Sequence, residues 1–229
     1  MAKHLLVSFK TCPWVQRAAI VLREKNVEFE FRHIEPDNRP DWFLKISPHK
    51  KVPVLRVDEV SLFESNAIAE FLDETVEPRL HPEDPVVRAV NRAWTDYIPT
   101  FAEAVTATAY ADTEADYAKA AERIPLPFER LETALARQGS GPYFNGARYS
   151  LVDAAYAPFL QRYFFLDRVK PLGHIEKFPR LKAWGEALMA RPSTHSFPPA
   201  EFEAMYRENL RRRGKWLAQF IAPARVAAE

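Results

Sequence analysis

Cys12 is the only cysteine among the 229 residues, and it lies where a strand pattern gives way to a helix pattern. An apolar run stops at Thr11, and helical spacing begins at Pro13, whose missing N–H costs nothing at that position. The free N–H groups and the dipole of a helix N-terminus favour a thiolate. The competing interpretation is a small apolar residue that fills a strand end. The strand–Cys–Pro–helix context favours the reactive thiol.

A second thiol is missing where dithiol redox sites place one. Val15 occupies the last position of the Cys-x-x-Cys pattern, so the chain cannot close an internal disulfide. If Cys12 does redox chemistry, a thiol from another molecule must resolve the mixed disulfide.

The composition narrows the function classes. A hydrophobic content of 47% and a charged content of 28% are typical of a globular protein. The net charge of +1 suggests neither a nucleic-acid nor a membrane partner, and no apolar run approaches the roughly 18 residues of a membrane span. The six histidines are scattered, so we predict no metal. A lone thiol and no signal-peptide pattern predict a cytoplasmic protein.

Residues 1–76 have the element order of a small α/β unit, β-α-β-α-β-β-α. The predicted elements are His4–Phe9, Pro13–Lys25, Val27–Ile34, Pro40–Ile46, Val52–Val57, Glu59–Phe63 and Ser65–Glu74.

The strand signal disappears after a proline-rich stretch. We predict a linker over residues 77–85 and an all-helical domain over residues 86–229. Its predicted helices are Val86–Tyr110, Asp116–Arg137, Leu151–Val169, Pro179–Arg191 and Pro199–Ile221. Pro99 predicts a kink in the first of these, and Pro125 and Pro127 make the second prone to a break.

Two short motifs in the first unit have both a structural and a functional interpretation. Pro53 is either an ordinary trans proline at a strand start or a cis proline that leaves the main chain of Val52 free to pair with an extended ligand. Ser65 is either the N-cap of the next helix or, together with Glu64, the site of an amine and a carboxylate at a helix N-terminus.

An aromatic stripe in the helical part also has two interpretations. Trp94, Tyr97 and Phe101 have helical spacing, which is more typical of a core than of a pocket. If Tyr97 or Phe101 instead lines a cleft beside Cys12, the second substrate is aromatic or apolar. The basic run 211–213 has acidic neighbours, so we interpret it as a solvated helix face.

Taken together, the motifs resemble the cytosolic glutathione transferases, and the cysteine-first pattern is most similar to their omega-like, thiol-transferase branch. The resemblance spans essentially the whole chain, because residues 145–153 are similar to the family's capping motif in the helical domain. The other motifs that carry it are Cys12-Pro13-Trp14-Val15-Gln16-Arg17, Arg39-Pro40-Asp41-Trp42-Phe43, Ser47-Pro48-His49-Lys50-Lys51-Val52-Pro53-Val54-Leu55 and Phe63-Glu64-Ser65-Asn66-Ala67-Ile68.

The resemblance implies a thioredoxin-like first domain with a cis bond before Pro53 and a homodimeric assembly. It implies that glutathione is the co-substrate, paired with the main chain of Val52 and held at its γ-glutamyl end by Glu64 and Ser65. Arg39 stands where omega-like members place a lysine toward the glycyl carboxylate, and an arginine can make that contact.

The cysteine determines which chemistry we expect. A thiol is a weak hydrogen-bond donor but a good nucleophile, which favours thiol transfer or glutathione-dependent reduction through a mixed disulfide at Cys12. Two alternatives stay open: conjugation or dehalogenation of a small electrophile, and a non-catalytic scaffold with the same fold.

Overall fold

The computed structural model describes residues 3–221. Its first part has the predicted order β-α-β-α-β-β-α. The elements are β1 His4–Ser8, α1 Pro13–Glu24, β2 Glu30–His33, α2 Asp41–Ile46, β3 Val54–Val57, β4 Val60–Phe63 and α3 Ser65–Thr75. The strands form one sheet in the order β2-β1-β3-β4. β1 and β2 are parallel, and the other two pairings are antiparallel. This confirms the predicted thioredoxin-like fold.

The sheet and its helices share a core because apolar residues occupy one face of each element. Leu6 of β1 pairs with Leu55 of β3, and both are completely buried. On α1, residues 15–22 are all buried, and Ile68 and Leu72 of α3 belong to the same cluster. The end of β1 and the start of α1 are therefore held firmly on either side of Cys12.

The second part is helical, as predicted. Its helices are α4 Pro85–Asp96, α5 Ile98–Ala109, α6 Glu114–Ala121, α7 Pro125–Leu135, α8 Leu151–Val169, α9 Pro179–Ala190 and α10 Pro199–Arg212. Three short 3-10 turns cover Ile175–Lys177, Pro192–Thr194 and Trp216–Phe220. Residues 76–84, between α3 and α4, lie in neither a helix nor a strand.

Three predicted long helices are divided in the structure. Prolines at the first or second position of a new helix end the preceding one near Pro99 and Pro125. The predicted helix Pro199–Ile221 was wrong as one piece. It stops after Arg212, and Gly214 (φ +60°) turns the chain into the last 3-10 turn.

Helix α8 connects the two parts. Its N-terminus is fixed by Asp153, which accepts hydrogen bonds from the backbone N–H and hydroxyl of Ser150, both at 2.7 Å. The other oxygen of Asp153 accepts from the N–H of Phe144 at 2.8 Å and the indole of Trp184 at 2.7 Å. Further along, α8 packs directly against α1. Helix α8 is therefore an element of the helical part that packs against α1, the helix that follows Cys12.

Within residues 3–221, no helix is both long enough and apolar enough to cross a membrane.

Candidate functional site

Cys12 is the N-cap residue of α1. Its extended backbone (φ −75°, ψ 118°) and Pro13 at the first helical position are typical of a helix start. The N–H of Cys12 donates to the carbonyl of Phe9 (3.1 Å), and its own carbonyl accepts from Gln16 (3.1 Å). The main chain is thus fixed on both sides of the thiol, whose residue is partly exposed.

The environment of the sulfur acts on its ionisation in two directions. Burial raises the pKa of the Cys12 thiol, whereas the N–H groups of Val15 and Trp14 and the charge of Arg162 lower it, and the net direction is upward. Neither N–H forms a regular capping hydrogen bond to the sulfur. The predicted ready ionisation is therefore wrong for the protein without a ligand, because desolvation outweighs the helix N-terminus.

One cleft opens beside Cys12 on the side of α3, with a volume of about 360 Å³. We call it the first cleft. It lies where four segments meet: the start of α1, the loop before β3, the start of α3 and the junction between α4 and α5. The residues that line the first cleft include Trp14, Arg17, His49, Lys51, Val52, Glu64, Ser65, Asn66 and Asp96.

The start of α3 presents unused donors to the first cleft. The helix begins at Ser65 itself, with Glu64 as N-cap, so the prediction that Ser65 is the N-cap was wrong. The first three N–H groups of the helix, residues 65–67, have no partner among residues 3–221, and neither does the Ser65 hydroxyl. Such a helix N-terminus binds anions such as a carboxylate.

Glu64 has an unusual backbone. Its φ of +64° with ψ 118° is a conformation that side chains with a Cβ rarely adopt. Its carboxylate is exposed and makes no hydrogen bond or ion pair within residues 3–221. A strained residue with a free carboxylate at the mouth of a cleft is a candidate for ligand binding.

The loop before β3 contributes free main-chain groups. The peptide bond between Val52 and Pro53 is cis, as the resemblance implies. Pairing between β3 and β1 begins only at Val54, and the N–H and C=O of Val52 have no partner among residues 3–221. Val52 also lines the first cleft, so an extended ligand can pair with its main chain.

A chain of polar side chains behind the start of α3 was not predicted from the sequence. The buried Arg17 donates to the side-chain oxygen of Asn66, whose amide donates to Asp96 at 3.1 Å. Burial lowers the pKa of Arg17 to about 10, and Glu70, Asp96 and Tyr156 act to raise it. The signal in the sequence was an arginine on the otherwise apolar face of α1.

Arg39 lies near the first cleft without lining it. It is exposed, and its guanidinium donates to the carbonyls of Pro36 (2.9 Å) and Lys50 (2.5 Å), which ties two loops together. The nitrogen-bearing side chains that do line this end of the cleft are those of His49 and Lys51. Neither was among the predicted site residues.

A second cleft, of about 390 Å³, opens on the other side of Cys12. It lies between the ends of β1 and β2 and one face of α10. Its apolar lining comes from Phe9, Ile34 and Met205, and its polar lining includes Lys10, Glu35, Glu208, Asn209 and Arg212. We call it the second cleft.

The aromatic residues considered for a second-substrate pocket lie elsewhere. Phe101 is completely buried and stacks on Phe128 with 5.6 Å between ring centroids, so it belongs to the core. Tyr97 is half-buried, and its hydroxyl accepts from Arg130 at 3.1 Å. Neither lines the first or the second cleft. Of the other aromatic side chains, Tyr110 interacts electrostatically with Cys12, and both Tyr110 and Tyr206 of α10 interact with Arg162.

Arg162 of α8 completes the wall around the thiol. Its guanidinium is buried and donates to the carbonyl of Thr11 (2.7 Å), the side-chain oxygen of Gln16 (3.0 Å) and the carbonyl of Pro158 (2.5 Å). It also lies over the ring of Phe202, 5.1 Å from its centroid.

Comparison with known proteins identifies a family for both parts. The model of the glutathione S-transferase N-terminal domain matches residues 6–80, and that of the C-terminal domain matches residues 88–192. Among curated relatives, glutathione S-transferase L1 of Arabidopsis thaliana is 34% identical over 81% of this chain and 77% of its own length. Glutathione S-transferase omega-1 of Rattus norvegicus is 29% identical over 82% and 78%.

Solved structures give the same result. A tau class glutathione S-transferase from Mangifera indica superposes with a TM-score of 0.80 at 26% identity and covers 90% of this chain and 98% of that one. Rice GST1, solved in complex with glutathione, superposes with a TM-score of 0.78 at 26% identity over 92% and 97%. The similar proteins thus include several classes rather than a single one.

Proposed function

Because the chain belongs to the glutathione S-transferase family, we propose that it is a cysteine-type, omega-like member that transfers thiol groups through a mixed disulfide at Cys12. Glutathione is the co-substrate, and the acceptor is a small disulfide or electrophile. The single observation that carries the proposal is the position of the only cysteine, a partly exposed residue at a helix N-terminus, between Thr11, which lines the second cleft, and Trp14, which lines the first.

The first cleft matches the charges of glutathione at each end. The α-carboxylate of the γ-glutamyl group suits the free N–H groups and hydroxyl at Ser65, and its ammonium suits Glu64. The main chain of Val52 suits the cysteinyl peptide group. His49 and Lys51 suit the glycyl carboxylate, and Arg39 can support that end because two carbonyls already orient it. This placement aims the glutathione sulfur at Cys12.

The reaction consists of two disulfide exchanges. The Cys12 thiolate attacks the glutathione sulfur of a mixed disulfide, forms a Cys12–glutathione disulfide and releases the acceptor as its thiolate. A second glutathione thiolate then attacks the glutathionyl sulfur, which yields oxidised glutathione and returns Cys12 as thiolate. The glutathione pair is oxidised and the acceptor is reduced. A chain with one cysteine needs this external second thiol.

The raised pKa of Cys12 supports a second candidate. A protonated thiol can donate a weak hydrogen bond to the thiolate of bound glutathione, which then attacks an electrophile by itself. In that case the protein is a conjugating or dehalogenating transferase, and Cys12 forms no disulfide.

Incubation with oxidised glutathione followed by intact-protein mass spectrometry separates the two candidates. Thiol transfer predicts one glutathionyl group per chain, absent in Cys12→Ala, together with loss of about 10³-fold or more of reductase turnover in that variant. Conjugation predicts no adduct and a transferase activity that survives Cys12→Ser. A protein that forms no adduct, shows neither activity and fails to bind immobilised glutathione is a scaffold, which contradicts both.

We also propose that the protein is a cytoplasmic homodimer, as is typical of the family. Exposed apolar side chains occur on β4 and α4, namely Val60, Phe63, Val86, Val87 and Val90. Sedimentation of the intact protein tests the assembly, and a monomer at all concentrations contradicts it.

A further inference from the structure

Arg162 is a buried charge that lacks a carboxylate partner. It is 3% exposed, yet no ion pair connects it to an Asp or Glu within residues 3–221. Its three hydrogen bonds go to neutral oxygens, those of Thr11, Gln16 and Pro158. A buried cation without an anion is costly, because hydrogen bonds to neutral groups replace only part of its hydration.

Two of the groups that accept hydrogen bonds from Arg162 belong to residues on either side of Cys12 in the sequence. Thr11 immediately precedes the thiol, and Gln16 lies one helical turn after it. Gln16 is itself fixed, because its amide donates to Gln161 (2.8 Å) and to the carbonyl of Thr194 (2.7 Å). The guanidinium is therefore held in one place relative to the sulfur, and each group stabilises the charged form of the other.

The other titratable groups that act on Arg162 are neutral at physiological pH. They are the phenols of Tyr110 and Tyr206, and burial raises the pKa of both. Arg213 lies over the ring of Tyr110, 5.6 Å from its centroid, and is exposed. Arg162 is therefore the buried charge that acts on Cys12.

We propose that Arg162 is the counter-ion of the Cys12 thiolate, a positioning residue that stabilises the sulfur whenever it becomes anionic. This rests on the proposed function, in which Cys12 is anionic when it attacks and again when it leaves. The thiolate supplies the anion that the guanidinium lacks, and the guanidinium offsets part of the desolvation that opposes ionisation.

The single cysteine makes the test direct, because the difference in thiolate absorbance between each protein and its Cys12→Ala counterpart reports on Cys12 alone. At a given pH, we expect Arg162→Gln to hold about tenfold less thiolate than the wild-type protein. Arg162→Lys keeps the charge and should recover most of the thiolate. The matched control is Arg168→Gln, which removes an exposed charge from the same helix (57% exposed side chain) and should leave the titration unchanged. A folded Arg162→Gln that titrates like the wild type overturns the proposal.

If Arg162→Gln does not fold, the wild-type protein decides. A guanidinium beside the sulfur attracts an anionic reagent, so Cys12 should prefer iodoacetate over iodoacetamide more strongly than free glutathione does. The preference must persist in Lys10→Gln, which removes the nearby exposed charge. A preference no greater than that of free glutathione, or one that disappears in Lys10→Gln, contradicts the proposal. Neither measurement requires activity, so failure of the proposed function is recognised separately by a missing glutathione adduct.

Discussion

The first and second clefts lie on either side of Cys12 along the chain, since Trp14 lines the first and Thr11 the second, but they differ in which kinds of polar group lack a partner. In the first cleft, the main chain of Val52, the start of α3 and the carboxylate of Glu64 have no partners within residues 3–221. In the second cleft, by contrast, Arg212 is paired with Asp37 (3.5 Å), and Asn209 accepts from the hydroxyl of Tyr110 (3.0 Å).

This difference affects how selectively each cleft can bind a ligand. Unpartnered polar groups discriminate strongly, because a ligand that does not match them leaves them unsatisfied. Apolar surface with paired charges accepts many shapes and rejects few. Under the proposed function, we therefore expect the first cleft to select one peptide-like ligand and the second to admit a range of acceptors. The reaction at the sulfur of Cys12 then depends on the ligands bound in both clefts.

The pH dependence of the alkylation rate of Cys12 tests whether burial or the N-terminus of α1 dominates the pKa of the thiol. Because burial raises the pKa of Cys12, the protonated form persists to higher pH and reactivity is gained as the pH rises. We expect the rate of alkylation by iodoacetamide to increase about tenfold per pH unit, or about 100-fold between pH 7 and pH 9. A rate that levels off below pH 8 would show that the helix N-terminus outweighs the burial.

The next prediction concerns the first cleft. Glu64→Gln keeps the size of the side chain but removes the charge that suits the ammonium group of glutathione. We expect calorimetry to show a Kd for glutathione about 10- to 100-fold higher, the usual loss for a charge-assisted hydrogen bond.

The matched control for this variant is Glu59→Gln, which removes an exposed carboxylate between β3 and β4. It should bind glutathione like the wild type. Equal affinities for Glu64→Gln and the wild type would remove the main distinction between the two clefts.

The sequence predicted the first cleft better than the second for a physical reason. Cys12, Val52, Glu64 and Ser65 all lie at ends of elements within one small unit, where local signals such as a proline or a helix start identify them. Helix α8 was also predicted to the residue, because its start has a capping motif and its apolar pattern is continuous.

The second cleft depends on contacts between residues that are distant in sequence. Its α10 wall lies almost two hundred residues from Cys12, and no local pattern indicates which face covers the thiol. The dipole of α1 can be inferred from the local sequence, whereas the burial that raises the pKa of Cys12 cannot. Arg162 was missed for the same reason, since its partners Thr11 and Gln16 are some 150 residues away.

A smaller effect is expected in the second cleft. Met205→Ala removes half-buried apolar surface from α10, so kcat/KM for an aromatic disulfide should fall about fivefold. A small polar disulfide should be affected less, and the Kd for glutathione should not change. A change in glutathione affinity would mean that the two clefts are not independent.

The smallest expected effect is a gain in stability at the expense of the first cleft. Glu64 has a φ of +64°, which costs a residue with a Cβ about 1–3 kcal/mol. Glycine adopts this backbone freely but adds flexibility to the unfolded chain, so Glu64→Gly should be about 1 kcal/mol more stable, with a Tm about 2–4 °C higher.

The control for that gain is Glu64→Ala, which removes the carboxylate but keeps the Cβ. Both variants should lose affinity for glutathione, since both lack the charge, but only the glycine variant should melt at a higher temperature. If the alanine variant gains as much stability as the glycine variant, the gain comes from loss of the carboxylate rather than from relief of backbone strain. A higher Tm in the glycine variant alone, together with weaker glutathione binding in both variants, would mean that the first cleft keeps a strained residue whose carboxylate binds the ligand.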